Sequence, residues 1–278
     1  MQNKRKLPIG VQDFEKLRED GCLYVDKTDL IYSLAHGGGS VYFLSRPRRF
    51  GKSLLISTMH EYFAGKRELF AGLKIAALEK DWIQYPVIRF DFTGANYREE
   101  DALEQKLSQM LCRYEEMYGR TDADGTSVSL RFNSLIRNAA EKAGERVVIL
   151  VDEYDKSLLE TEGELNDKNR ALFNGFFGNL KGMDGYIKFA FFTGVTKFSK
   201  VSIFSDLNQL HDISLSEKYA SICGITQAEL EANFSPEIDA LAVRQKLTRE
   251  ACLAELERMY DGYKFHGDGE RVYNPFSL

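Results

Sequence analysis

Short runs of apolar residues divide the first 225 positions of the chain into a regular series. The runs are too short for ordinary helices and are continuous rather than alternating, which is typical of strands covered on both faces. Five strands are predicted in this way, over residues 41–44, 87–92, 147–151, 187–192 and 213–215.

Amphipathic stretches lie between the predicted strands. Leu55, Met59 and Tyr62 share one face of a helix that follows the first strand. Residues 103–114 and 128–139 each carry an apolar stripe at helical spacing. Strands that alternate with helices build a parallel sheet with helices on both sides. The pattern therefore predicts an α/β fold, a three-layer sandwich around a mainly parallel five-stranded sheet.

Three segments are predicted along the chain. Residues 1–40 form a lead-in segment that packs on the core, and residues 41–225 form the core itself. After Thr226 the pattern becomes helical and charged, so residues 226–278 are predicted to form a small C-terminal helical domain. No terminal signal marks the end at Leu278, and we expect this last domain to be truncated.

Composition and charge narrow the functional class. The 278 residues are 44% hydrophobic and 28% charged, which are ordinary values for a soluble globular protein. A net charge of -5 and a pI of about 5.6 argue against a broad basic face, so we expect no strong nucleic-acid binding by this chain. The N-terminus lacks the apolar run of a signal peptide, and no 18-residue apolar stretch occurs. A cytoplasmic protein without membrane contact is expected.

The loop after the first strand carries a phosphate-binding pattern. The pattern ends in Gly51-Lys52-Ser53. In loops of this kind the backbone amides surround the phosphates, the lysine reaches the β and γ phosphates, and the serine hydroxyl binds Mg²⁺. Arg46 stands where the usual pattern has glycine. Four cations nevertheless crowd a helix N-terminus, where the helix dipole disfavours positive charge and an anionic ligand resolves the conflict. The alternative is a solvated basic turn with a chance Gly-Lys-Ser. The predicted nucleotide-binding residues are Arg46, Pro47, Arg48, Arg49, Phe50, Gly51, Lys52, Ser53 and Leu54.

Two acids follow the third predicted strand. Asp152 and Glu153 supply a carboxylate for Mg²⁺ and a candidate base for the attacking water. Acids after a strand are by themselves more often a polar loop or a helix cap, but the Gly-Lys-Ser sequence about 99 positions upstream favours the metal site. Ser53 and Asp152 are therefore the predicted metal ligands. Asp155 could support the metal ligands from behind, but it is predicted to cap the helix that follows.

Thr193 ends the fourth predicted strand, which should lie between the first and the third. A polar residue at that place can sense the γ-phosphate or orient water, and Thr196 and Lys197 are close to it in sequence. A simple turn around Gly194 explains the pattern equally well. Lys52, Glu153 and Thr193 are the predicted catalytic residues.

Taken together, these motifs resemble the bacterial AAA-ATPase-like family over essentially the whole chain. The resemblance implies an ASCE-type P-loop ATPase that uses ATP and Mg²⁺, and an arginine at position 46 is usual in the family. Members typically continue into a PD-(D/E)XK nuclease-like domain, so the chain resembles the ATPase portion alone. The stretches that carry the resemblance are residues 7–14, 24–28, 46–53, 152–155, 193–197 and 273–276.

The expected function is ATP-Mg²⁺ binding with ATP hydrolysis, controlling a nuclease-like domain that this chain lacks. A second hypothesis is a nucleotide-gated interaction module that does not hydrolyse ATP. A third is a nucleic-acid-processing component that acts through the absent domain. The expected partners are the nucleotide and a second copy of the chain or another protein. Arg48 or Arg49 would add charge to the phosphates or act across a subunit interface.

Overall fold

The centre of the protein is a sheet of five parallel strands. A computed structural model describes residues 6–121, 125–196 and 210–278 of the chain. In chain order the strands are β1 (Val41–Ser45), β2 (Val87–Asp91), β3 (Val147–Asp152), β4 (Ile187–Gly194) and β5 (Leu210–Asp212). Their spatial order is β2-β3-β4-β1-β5, and every pair of neighbours is parallel. The predicted parallel sheet is confirmed.

The strand order confirms that the fourth strand lies between the first and the third. The predicted bounds of the first four strands agree with the structure within two residues. The fifth was predicted over residues 213–215, which is wrong, because the strand ends at Asp212. The Ser214 hydroxyl, rather than a backbone carbonyl, accepts from the Ser45 amide at 2.8 Å, so regular pairing stops there. The apolar pattern did not reveal this edge strand, because β5 contains polar residues.

Helices cover both faces of the sheet. Val147, Ile149 and Val151 of β3 pack into one core, while Val148 and Leu150 pack into the core on the opposite face. Each fully buried Val, Ile or Leu contributes about 1.5–3 kcal/mol. The helices are α1 (Phe14–Glu19), α2 (Thr28–Ala35), α3 (Lys52–Phe63), α4 (Ile75–Leu78), α5 (Ala102–Tyr118), α6 (Val128–Ala143), α7 (Lys156–Leu159), α8 (Gly163–Gly178), α9 (Gln227–Gln245) and α10 (Arg249–Tyr260).

The lead-in segment is fastened to the core and to the C-terminal region. Phe14 is fully buried, and its amide donates to the Ser57 hydroxyl of α3 at 2.9 Å. Lys27 is also buried and forms an ion pair with Glu229 of α9, with its Nζ 2.6 Å from Oε1. The segment therefore joins two parts of the protein that are distant in sequence.

The C-terminal region contains the helices α9 and α10, in line with the predicted helical character, and also three strands that the sequence did not predict. The strands are β6 (Ile225–Thr226), β7 (Asp261–Lys264) and β8 (Arg271–Tyr273), which form an antiparallel sheet in the order β6-β8-β7. Strands of two to four residues are too short to show a period. The domain boundaries at residues 40 and 225 stay a prediction. Across the described ranges, no helix combines the length and the apolar character needed to cross a bilayer.

Candidate functional site

The loop between β1 and α3 turns sharply so that α3 begins with free amides. Gly51 has φ +91°, a left-handed conformation that glycine adopts at little steric cost. Its carbonyl accepts the first helical hydrogen bond, from the Leu55 amide at 3.0 Å. Among the residues that the structure describes, the amides of residues 51–54 have no hydrogen-bond acceptor. Such free amides and the helix dipole favour an anion at this end of α3.

Lys52 lies across this loop rather than in solvent. Its side chain is buried, and Nζ donates to the carbonyls of Arg46 at 3.0 Å and Pro47 at 3.1 Å. An ammonium group has three donor protons. The lysine therefore holds the loop with two hydrogen bonds and keeps a further donor.

The Arg46 side chain leaves the loop and enters the protein. It is 1% exposed, and its guanidinium donates to the carbonyls of Ser214, Tyr219 and Ala220 at 2.9, 3.1 and 3.2 Å. The guanidinium carbon lies 3.8 Å from the centre of the Phe265 ring. Burial lowers the pKa of this guanidinium. These contacts explain how arginine can stand where phosphate loops usually have glycine.

Phe50 also points into the protein. It is fully buried, with its ring centre 4.8 Å from that of Tyr263 and 5.4 Å from that of Phe265. The guanidinium carbon of Arg49 lies 4.0 Å from the ring centre of Phe276. The remaining predicted residues of the loop and first turn are half-buried (Pro47, Ser53, Leu54) or exposed (Arg48).

Asp152 ends β3 as a buried carboxylate with one unused oxygen. The side chain is 1% exposed, and its Oδ1 accepts from the Thr193 hydroxyl at 2.6 Å. Its Oδ2 is buried without a hydrogen-bond partner among the described residues. A buried acceptor without a donor costs about 1–3 kcal/mol or more if charged, so such an atom requires explanation. A divalent cation or its water would satisfy it, so the residues present fit Mg²⁺.

Glu153 follows in a strained conformation beside Asp152. Its φ is +51°, a left-handed value that costs a non-glycine residue about 1–2 kcal/mol. The side chain is half-buried, and burial, followed by repulsion from Asp152, raises its pKa against the opposing charges of Lys52 and Lys156. A raised pKa makes a carboxylate a stronger base near neutral pH.

Thr193 links the ends of the two strands. It is fully buried, and its carbonyl accepts from the Tyr154 amide at 3.1 Å. In the sheet it pairs with Leu44, near the end of β1 and the start of the loop that leads to α3. It therefore lies between the loop and the acids. Lys197, its predicted neighbour, lies outside the described residues.

Asp155 has a different task from the one predicted. It stands before α7 but makes no capping hydrogen bond with its side chain, so the predicted cap is wrong. Its Oδ2 instead accepts from the amides of Val195 at 2.9 Å and Thr196 at 2.8 Å, and from the Thr196 hydroxyl at 3.0 Å. The carboxylate thereby ties the loop after β3 to the loop after β4. The sequence carried no signal for these bonds, which join positions 40 or more residues apart.

Gly194 is required by this close approach of the two loops. An added Cβ would lie 2.5 Å from Tyr154 Cε1 and 3.0 Å from Asp155 Cγ. We expect Gly194→Ala to lose about 1–3 kcal/mol of unfolding free energy through overpacking. This loss corresponds to a fall of several degrees in Tm. Gly182→Ala is the control, because a Cβ there meets nothing within 4 Å. Equal melting temperatures of the two variants in calorimetry would contradict the steric argument.

The sheet order, with a Gly-Lys-Ser loop after β1 and two acids at the end of β3, defines a P-loop NTPase fold. A family model described as "Predicted AAA-ATPase" (AAA-ATPase_like) matches residues 8–204. The chain belongs to this AAA-ATPase-like family.

A curated relative and two solved structures resemble the chain. The relative, "Uncharacterized protein in vnfD 5'region" from Azotobacter chroococcum mcd 1, is 42% identical over 280 residues, covering 99% of this chain and 51% of the relative. The chain thus spans about half of that protein's length. The Aeropyrum pernix ORC1 protein, solved in complex with DNA, is 12% identical with a TM-score of 0.37, covering 95% of this chain and 63% of that one. The Aeropyrum pernix ORC2 protein, solved in ADPNP-ADP complexes, is 12% identical with a TM-score of 0.35, covering 83% and 54%.

Proposed function

We propose that the chain binds ATP together with Mg²⁺ at the carboxyl edge of the sheet and hydrolyses the bound ATP. The buried Oδ2 atom of Asp152, which has no donor among the described residues, carries the proposal. The β1-β4-β3 arrangement brings this atom to the same edge as Lys52 and the free amides of residues 51–54. Ligands of open α/β sheets bind at that edge.

Phosphate binding is assigned to the loop and the first turn of α3. The amides of residues 51–54 donate to phosphate oxygens, and the Lys52 ammonium turns from the loop carbonyls toward the β and γ phosphates. The exposed Arg48 adds positive charge at the same loop. The Arg46 and Phe50 side chains hold the loop from within the protein.

Metal binding is assigned to Ser53 and Asp152. A hydroxyl, one carboxylate and phosphate oxygens are the ligands by which Mg²⁺ is usually held in such sites. When bound, Mg²⁺ neutralises charge on the β and γ oxygens. In the described part of the chain, no group of three or more His, Cys, Asp or Glu side chains is arranged to hold a metal ion.

The hydrolytic step is assigned to Glu153. Its carboxylate accepts a proton from water as the water oxygen bonds to the γ-phosphorus. The bond from that phosphorus to the β–γ bridging oxygen breaks, which leaves ADP and inorganic phosphate. The Glu153 side chain is half-buried directly after the assigned metal ligand Asp152, a position that suits a proton acceptor. Thr193 keeps Asp152 in place through its hydroxyl, 2.6 Å from Oδ1.

Isothermal titration calorimetry on the intact chain tests the binding step. We expect saturable heat at one site per chain for ATP with Mg²⁺. We expect much weaker binding of AMP, which lacks the phosphates that the loop and Lys52 contact. ATP at about 100 times its Kd should also add about 2.7 kcal/mol to the free energy of unfolding, measured as a rise in Tm. A folded chain that gives no heat with any nucleoside triphosphate and Mg²⁺ would refute the proposal.

A further inference from the structure

The side chains of the phosphate-binding loop hold a second structural element. We call the two strands β7 and β8 with the residues between them, 261–273, the C-terminal hairpin. Phe265 of this hairpin stacks on the Arg46 guanidinium and presents its ring to Phe50, at right angles. Tyr263 of the same hairpin also contacts Phe50, with the two ring centres 4.8 Å apart. Arg46 and Phe50 of the loop thus pack against Tyr263 and Phe265 of the hairpin.

The segment before β6 completes this junction. Arg46 donates to the carbonyls of Tyr219 and Ala220 in that segment. At Gly224, where φ is +91°, an added Cβ would lie 2.8 Å from Phe50 Cε1 and 2.9 Å from Val272 Cβ. Val272 belongs to β8 and is fully buried in the core that also contains Phe50. The packing leaves little room for the hairpin to shift without moving the loop.

The junction shares one residue, Arg46, with the proposed ATP site. The Lys52 ammonium donates to the Arg46 carbonyl, while the Arg46 guanidinium holds the hairpin. A movement of Lys52 onto phosphate removes a contact from the same residue whose side chain binds Phe265. Packed contacts of this kind change between discrete arrangements rather than deforming continuously.

We infer that Arg46 and Phe50 are positioning residues that couple ATP binding to the C-terminal hairpin. This inference rests on the proposed function. The docked hairpin holds the loop in its binding shape and so removes part of the ordering cost of binding. Because coupling between two equilibria is reciprocal, bound ATP stabilises the docked hairpin by the same factor. The hairpin is therefore the element that reports nucleotide binding to whatever contacts the C-terminal region.

Hydrogen exchange of the intact chain tests the coupling directly. ATP with Mg²⁺ is expected to slow amide exchange in peptides from the hairpin of the wild-type chain. In the Lys52→Ala variant, ATP with Mg²⁺ should leave the exchange rate of the hairpin amides unchanged. Bound ATP also raises the unfolding free energy of the whole chain, so a merely structural hairpin would gain no more protection than peptides of α5.

Calorimetry tests the reciprocal effect. Phe265→Ala is expected to weaken ATP binding about tenfold, a typical coupling, and Phe265→Tyr, which keeps the ring, to restore it. Lys264→Ala is the matched control, because Lys264 is exposed on the same hairpin. If Phe265→Ala does not fold, Phe265→Leu replaces it, with folding checked by thermal melting.

The two proposals fail in different ways. ATP binding to the wild-type chain, with unchanged hairpin exchange and unchanged affinity in the Phe265 variant, would overturn the coupling alone. Absence of ATP binding to the wild-type chain would overturn the proposed function and the coupling together.

Discussion

The Lys52→Ala variant is expected to bind ATP at least about 100-fold more weakly than the wild-type chain. Hydrogen bonds to charged groups contribute about 1.5–3 kcal/mol each, and the ammonium is assigned contacts to both the β and γ phosphates. Two such bonds correspond to a hundredfold or more in Kd. Isothermal titration calorimetry with ATP and Mg²⁺ measures the loss.

The loss must be separated from a general loss of the fold. Lys52 also holds two loop carbonyls, so the variant is melted in parallel to show that it is folded. Lys80→Ala removes an equal charge from an exposed position and should bind ATP as the wild-type chain does. A folded Lys52→Ala variant with wild-type affinity would show that the ammonium does not contact phosphate.

The Glu153→Gln variant is expected to bind ATP normally and to release phosphate about 10²- to 10⁴-fold more slowly. Glutamine keeps the shape and the left-handed backbone of the site but cannot accept the proton from water. General bases contribute rate factors of this size. Asp152, the assigned metal ligand, is unchanged, so affinity should persist. Steady-state phosphate release and calorimetry together measure the two effects.

Glu162→Gln is the matched control for this variant. Glu162 is an exposed glutamate that precedes α8, and its substitution should leave phosphate release unchanged. Full turnover by Glu153→Gln would remove the assigned base. A wild-type chain that binds ATP but releases no phosphate would favour the alternative of a nucleotide-gated interaction module that does not hydrolyse ATP.

The sheet could be predicted because its signal is local. The run 147–151 is buried at every position, so its sequence alone indicates a strand covered on both faces. The edge strand β5 could not be found in this way, because His211 and Asp212 are exposed and hide the strand among polar residues. The C-terminal strands escaped detection because pairing, rather than an apolar period, defines them.

In the candidate site, too, the features with a local sequence signal could be predicted, and the contacts between residues distant in sequence could not. Gly51-Lys52-Ser53 form a contiguous motif that lies, as predicted, between the first strand and the helix after it, and Asp152 and Glu153 lie at the end of β3. The roles of these residues stay predictions. The tasks of Arg46 and Asp155 depend on partners brought close by the fold. Arg46 binds Phe265, which follows it by 219 positions, and no local pattern records such a pair. The Asp155 carboxylate likewise accepts a hydrogen bond from the Val195 amide in the loop after β4.

The buried arginine of the loop also bears on how the protein is made. Arg46 leaves the ribosome long before Phe265 and the carbonyls of Tyr219 and Ala220 have been synthesised. A guanidinium without these partners stays in water, because burying an unpaired charge is strongly unfavourable. The Arg46 side chain can therefore take its native place only after residues 214–220 have been made. Shortened chains that stop before residue 214 would carry the whole Gly-Lys-Ser motif and lack these three acceptors.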